Sequence, residues 1–166
     1  MTTASTNTSA IRTGGNRLYS DAERARRDAT KWTLVQGILA PLQFVVFLVS
    51  LALVVRYLMT GAGYEIATLS IIVKTGVLLL IMVTGAIWEK VVFGQYLFAP
   101  AFFWEDIFSF AVIALHLLYV FALLGNWYGP TQLMYLALAA YATYVINAGQ
   151  FVWKLRLARL DAEGRK

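Results

Sequence analysis

The sequence contains no cysteine and only one histidine, His116, among its 166 residues. The absence of cysteine excludes disulfides, thiolate zinc sites, iron–sulfur clusters and thiol nucleophiles. A single histidine cannot by itself form a histidine-rich metal site or a bis-histidine haem site. Neither of the common glycine-rich phosphate loops is present, so the sequence gives no support for nucleotide-driven chemistry. We therefore expect a protein without a cofactor or metal of its own.

Charged residues are also scarce. They make up 14% of the chain, whereas 60% of the residues are hydrophobic. Soluble globular domains have roughly 45–50% apolar and about 25% charged residues. The composition excludes a water-soluble enzyme, and it excludes a disordered chain, which needs few apolar residues and many charges. The length is sufficient for one domain.

Four long apolar stretches account for this composition, and together they carry one formal charge, on Lys74. Each stretch is long enough to cross about 30 Å of hydrocarbon as a helix. The five tryptophans lie at or next to the ends of the stretches, as is typical of an interfacial aromatic belt. The sequence thus predicts an all-α membrane protein with a bundle of four transmembrane helices, the last opened by Pro130. The stretches are Thr33–Val55, Ile66–Trp88, Ile107–Trp127 and Thr131–Trp153.

The basic residues lie mainly at the two ends of the chain. Residues 1–32 contain six of the 14 lysines and arginines, and residues 154–166 contain five. An even number of spans places both ends on one side, and the positive-inside rule makes that side cytoplasmic. The net charge of +5 is therefore an orientation signal, and we expect no nucleic-acid partner. The predicted organisation is a polar, basic segment 1–32, a transmembrane domain 33–153 and a basic tail 154–166. Within the first segment, Ser20 and Glu23 fit a capping box that opens a short basic helix.

The second connection, Glu89–Asp106, is unusually apolar. It contains 14 uncharged residues between Lys90 and Glu105, which is too short to span a bilayer and too apolar for an ordinary loop. Such a length is typical of a re-entrant or interfacial segment. The topology places it on the cytoplasmic side, where we expect it to form the mouth of a site.

Two ionisable residues lie inside the apolar stretches. Lys74 is eight residues into its stretch, and His116 lies ten residues beyond Asp106. Ionisable groups at such depths are costly, and they usually face the bundle or a wet cavity. For Lys74 the alternatives are a structural pairing with an acid or a functional role. For His116 they are an interhelical hydrogen bond, a proton relay, or axial ligation of a tetrapyrrole metal.

Three acids, Glu89, Glu105 and Asp106, flank the second connection. They are either hydrated helix ends or partly desolvated groups of which one acts as a general acid. The amides of Gln43 and Asn147 and the hydroxyl of Tyr144 lie within the apolar stretches. They either bond between helices or line a ligand site.

Five strings along the chain are long and distinctive: WTLVQGILAPLQF (Trp32–Phe44), IWEKVVFG (Ile87–Gly94), LFAPAFFWED (Leu97–Asp106), ALH (Ala114–His116) and AYATYVIN (Ala140–Asn147). They resemble the 3-vinyl bacteriochlorophyllide hydratase family, and the resemblance covers about residues 18–160. It implies a bacterial hydro-lyase that adds water to the vinyl group on the first pyrrole ring of a (bacterio)chlorophyllide. The product carries a 1-hydroxyethyl group on the route to bacteriochlorophyll. The resemblance further implies the bacterial inner (intracytoplasmic) membrane and contact with other bacteriochlorophyll-synthesis enzymes.

Protonation of the vinyl group followed by attack of water requires an acid, a placed water molecule and a flat apolar slot. On this resemblance we expect Asp106 or Glu105 to be the acid, with Glu89 as its partner. We expect His116 to position water or to bind the magnesium of the substrate, and Lys74 to keep a carboxylate ionised or to meet a polar substrate edge. Two other function classes stay open: a non-catalytic tetrapyrrole-binding or assembly subunit, and a small transporter or proton path. The expected substrate-binding residues are Lys74, Lys90, Trp104, Asn147, Gln43 and Tyr144.

Overall fold

The computed structural model describes residues 18–163, with side chains to residue 160, and this part of the chain consists of helices and short connections, without strands. The predicted all-α class is confirmed. The ends of the predicted basic segments, including Arg12, Arg17, Arg165 and Lys166, lie outside the described residues. The helices are α1 (Asp21–Ala29), α2 (Lys31–Thr60), α3 (Tyr64–Phe93), α4 (Phe103–Leu124) and α5 (Pro130–Glu163).

Three helices, α2, α3 and α4, are long and apolar enough to cross a membrane, with 30, 30 and 22 residues respectively. α2 and α3 contain the first two apolar stretches, and α4 contains all of the third except its last three residues, so three of the four predicted spans are helices of the required length and composition. Their outward-facing side chains are largely apolar, for example Leu34, Val83 and Phe121, which are all more than half exposed. A surface of this kind suits the hydrocarbon of a membrane.

The boundaries of the helices follow local signals in the sequence. The predicted capping box is present: the Ser20 amide donates to Glu23 Oε2 at 2.7 Å, and the Glu23 amide donates to Ser20 Oγ at 3.3 Å. Gly61 and Gly94 end α2 and α3 in the left-handed conformation, which glycine adopts at little cost. Pro130 begins α5 as predicted.

The long helices pack in two hairpins. α2 lies along α3, and α4 lies along α5, whereas the contacts of α2 with α5 and of α3 with α4 are far fewer. The core between the hairpins includes Phe47, Ile71, Tyr119 and Tyr141. Helix α1 packs on the end of α3, where Arg26 Nε donates to the Val92 carbonyl at 2.7 Å. The four long helices thus enclose one core, which lies between two closely packed pairs of helices.

Candidate active site

Glu89 and Asp106 form a carboxyl pair where α3 ends and α4 begins. Both residues are buried, and their carboxyl groups lie within hydrogen-bonding reach of each other. Backbone amides of the connection 94–102 also bind them. The Ala99 amide donates to Glu89 Oε2 at 3.2 Å, and the Phe98 amide donates to Asp106 Oδ2 at 2.7 Å.

The third predicted acid, Glu105, forms an ion pair instead. Its Oε2 lies 2.6 Å from Lys154 Nζ, and Lys154 also donates to the Ala101 carbonyl. This lysine therefore joins α5 to α4 and to the connection. Lys154 was not among the predicted site residues. The available signal was its position. Lys154 is the first charged residue after the fourth apolar stretch, and this end of the stretch is level with the acids that open α4.

Lys74 does not take the role of counter-ion that we expected for it. Its ammonium group forms no ion pair and no hydrogen bond with any of residues 18–160. Instead, Nζ lies 3.7 Å from the centroid of the Tyr144 ring, and the lysine has no exposed surface. The first of the two expected roles, keeping a carboxylate ionised, has no support here because no acid lies at the same depth in the described helices. The second role, contact with a polar substrate edge, stays a prediction. The lysine that pairs with an acid is Lys154, at the end of the bundle.

His116 has one engaged and one free ring nitrogen. Nδ1 lies 2.8 Å from the Val112 carbonyl, which can only accept, so Nδ1 carries the proton in the neutral ring. Nε2 then holds a lone pair, and this atom is buried without a partner in the described part of the chain. His116 is close enough to Lys74 for their charges to interact. We call these two residues the buried pair, since they combine a free proton donor with a free acceptor.

The polar residues around the buried pair are only partly satisfied. Asn147 Nδ2 donates to Ser109 Oγ at 2.9 Å, which is the interhelical bond that we considered for such amides. Asn147 Oδ1 and Gln43 Oε1 have no partner among the residues that the structure describes. Tyr144 supplies the ring below Lys74. These free acceptors leave room for hydrogen bonds to water or to a ligand.

The predicted catalytic residues lie in two separate layers. Ten residues separate Asp106 from His116 on α4, which corresponds to about 15 Å along a straight helix. The carboxyl pair is at the end of the bundle, and the buried pair is near its middle. Lys90 and Trp104 are not part of either buried group, because both side chains are exposed. Lys90 Nζ donates to the Gly94 carbonyl at 2.7 Å.

An open groove of about 390 Å³ runs between α2 and α5. Its walls are apolar except for one arginine. Phe44 and Val145, at one end of the groove, directly follow Gln43 and Tyr144 in their helices, so this end is level with the buried pair. The lining residues are Phe44, Val145, Ala148, Gly149, Val152, Trp153 and Arg156.

Comparison with known proteins identifies relatives of the chain over most of its length. Residues 19–157 match the family described as 2-vinyl bacteriochlorophyllide hydratase. A protein of that name from Cereibacter sphaeroides is 71% identical over 147 residues, which is 89% of this chain and 91% of the relative. Another from Rhodobacter capsulatus is 72% identical over 145 residues, covering 87% of this chain and 84% of the relative. No solved structure matches.

The 2-vinyl and 3-vinyl names denote the same substituent under two numbering conventions for the macrocycle. The resemblance that the sequence strings indicated is thereby confirmed, since the match extends from before α1 into the last turns of α5. The chain belongs to the 2-vinyl bacteriochlorophyllide hydratase family.

Proposed function

We infer that this chain is a hydro-lyase that adds water to the vinyl group of a bacteriochlorophyllide in bacteriochlorophyll biosynthesis. The names of relatives with 71% and 72% identity support this function. In the reaction the terminal vinyl carbon gains a proton and the adjacent carbon gains a hydroxyl group. The oxidation state of the pigment as a whole does not change, so the step needs proton transfer and a placed water molecule only.

The observation that carries the mechanism is the buried pair. In our proposal Lys74 Nζ donates a proton to the terminal vinyl carbon, which leaves a cation delocalised over the macrocycle. Water attacks the adjacent carbon while His116 Nε2 accepts one of its protons. Return of that proton from His116 to Lys74 restores both residues. The Val112 carbonyl holds Nδ1–H and thereby keeps the Nε2 lone pair available.

The carboxyl pair is the alternative proton donor. Either carboxyl group can donate a proton when it is protonated, but the amides of Phe98 and Ala99 already bind the pair, and it lies about 15 Å closer to the end of the bundle. We propose that Glu89 and Asp106 instead hold the connection 94–102 in place. Single-residue variants of Lys74, Glu89 and Asp106 distinguish the two donors.

We propose that α5 is a fourth membrane span and that both ends of the chain are cytoplasmic, in the inner membrane of a bacterium. With 34 residues, α5 is about 51 Å long, and residues 131–153 carry no formal charge. The connection 94–102 then lies at the cytoplasmic interface. Reporter fusions at Gly129 test this topology: a cytoplasmic signal there would contradict it. Passage of a membrane-bound pigment to other synthesis enzymes follows naturally from this location.

A direct assay separates the proposed activity from the two other function classes. Purified protein in detergent is mixed with the vinyl pigment, and the absorption spectrum and the mass of the pigment are followed. A hydratase increases the mass by one water, and the Lys74→Met variant does not. A pigment-binding subunit shifts the spectrum without a change in mass. A proton path or transporter leaves the pigment unchanged, and either of these two results would refute the proposal.

A further inference from the structure

We propose that the groove between α2 and α5 is the site for the pigment itself, with Arg156 binding the propionate carboxylate of the substrate. This inference rests on the proposed function and extends it to the binding site. The groove has apolar walls and a single charged side chain, Arg156, near one end. A tetrapyrrole acid has the complementary character, because it is a flat apolar ring with a carboxylate at one corner.

The groove has a length that suits this ligand. Val145 and Arg156 line its two ends and are eleven residues apart on α5, which is about 16 Å along the helix. The macrocycle together with its propionate arm has a comparable length. The volume, about 390 Å³, is within the range of roughly 300–1,000 Å³ for small-molecule sites, and the open side leaves the rest of the pigment in lipid.

Two small residues make one wall of the groove flat. Ala148 and Gly149 lie side by side on α5, and a Cβ atom added at Gly149 would meet nothing within 4 Å. A conjugated ring can therefore approach the helix backbone closely at this point. Trp153, which also lines the groove, offers an aromatic face for stacking.

The position of Arg156 fixes the orientation of the ligand. With the propionate on Arg156, the first pyrrole ring, which carries the vinyl group, is directed toward Phe44 and Val145, level with the buried pair. Tyr144 precedes Val145, and its ring lies 3.7 Å from Lys74 Nζ. The vinyl group then points between α2 and α5 toward the proton donor. The ring of Phe47 lies 4.9 Å from that of Tyr144 at this level, so the Phe47 side chain has to turn aside for the two-carbon substituent to enter.

Arg156 is free to bind a carboxylate. It is exposed and forms no ion pair with any acid in the described region. A guanidinium group binds a carboxylate through two parallel hydrogen bonds, which gives both affinity and orientation. Arg159 is a matched control, since it is also an exposed arginine on α5 but does not line the groove.

The test compares the free-acid pigment with its propionate methyl ester as substrates. In the wild type we expect the ester to have a KM about tenfold higher, as loss of a charge-assisted hydrogen bond predicts. Arg156→Gln should raise the KM of the free acid by a similar factor, keep kcat within about twofold, and remove the preference for the acid. Arg159→Gln should keep the preference. If Arg156→Gln discriminates like the wild type, the assignment of Arg156 is wrong, although the hydratase activity stands.

A second variant tests the groove without changing a charge. Gly149→Leu fills the open space, whereas Gly76→Leu adds the same bulk to α3, where a Cβ atom also meets nothing within 4 Å. We expect at least a tenfold weaker binding of the pigment to Gly149→Leu and unchanged binding to Gly76→Leu, measured by titration of the absorption spectrum. Unchanged binding to Gly149→Leu would show that this face contacts only lipid, and it would overturn the proposal.

Discussion

Lys74 Nζ lies over the ring of Tyr144, 3.7 Å from its centroid, and has no hydrogen-bond acceptor among the described residues. The aromatic face stabilises the cation without accepting its protons as an oxygen would. The protons of an ammonium group in this setting have no acceptor on the protein, so a ligand can take one of them. The contact between these two residues is therefore the reason for proposing Lys74 as the proton donor.

Replacement of Lys74 should abolish the chemical step. We expect Lys74→Met to lower kcat by roughly 10²–10⁴-fold, the usual contribution of a positioned proton donor, with little change in pigment binding. Lys74→Arg keeps the positive charge but does not release a proton, so we expect it to be similarly inactive. Turnover is measured as formation of the 1-hydroxyethyl pigment. If Lys74→Met keeps more than about a tenth of the wild-type kcat, the carboxyl pair becomes the donor.

Replacement of His116 should separate catalysis from ligation of magnesium. We expect His116→Ala to lose about 100-fold in kcat while binding the pigment with an unchanged Kd, because Nε2 accepts a proton from water in our proposal. A large increase in Kd would instead assign the Nε2 lone pair to the magnesium of the substrate. Titration of the pigment absorption in the variant distinguishes these results.

The carboxyl pair should matter more for stability than for turnover. Glu89→Gln and Asp106→Asn keep an oxygen that accepts from the Ala99 and Phe98 amides, and each should retain more than a tenth of the wild-type kcat. Glu89→Leu removes the acceptor of a buried amide and should cost about 1–3 kcal/mol in the free energy of unfolding. Unfolding in detergent and the hydration assay measure the two effects. A loss of more than 100-fold in kcat in either amide variant would assign the acid to this pair.

The ion pair of Lys154 and Glu105 should stabilise the end of the bundle. Lys154→Met leaves the largely buried Glu105 carboxylate without a partner, at an expected cost of about 1–3 kcal/mol. The double variant Lys154→Met with Glu105→Leu removes both charges and should recover part of that loss. If the single and double variants unfold alike, the two residues do not interact energetically.

The short helix α1 should depend on pH through its capping box. The hydrogen bonds from Ser20 lower the pKa of Glu23 below its usual value of 4.5. Because the pKa is lower in the folded state, the stabilisation is present above the unfolded pKa and is lost as the pH falls through the folded pKa. Proteolysis near α1 should therefore increase below about pH 4. Ser20→Ala should increase it already at neutral pH, with a cost of about 1 kcal/mol, whereas equal cleavage of the two proteins would contradict this role.

Local features of the fold were predictable because their signals are local in the chain. Ser20 and Glu23 are three residues apart, Pro130 marks a helix start by its own geometry, and apolar length indicates a span. The arrangement of the site was not predictable in this way. Lys154 and Glu105 are 49 residues apart, and only the packing of α5 on α4 brings them together. The sequence likewise does not reveal that Phe98 adopts a φ of 59°. In this conformation its amide donates a hydrogen bond to Asp106.

The unequal packing of the four long helices has a consequence for how a water-insoluble pigment enters and leaves the site. Since α2 with α3 and α4 with α5 form the close contacts, the groove on the α2–α5 side lies between the two hairpins and opens sideways. A pigment dissolved in the bilayer can then reach Lys74 sideways and leave by the same side, without crossing an aqueous phase. The hydroxyl group gained in the reaction makes the product more polar than the substrate, so the apolar groove retains it less tightly. Directionality would then arise from the partition of substrate and product between groove and membrane interface, with no moving lid required.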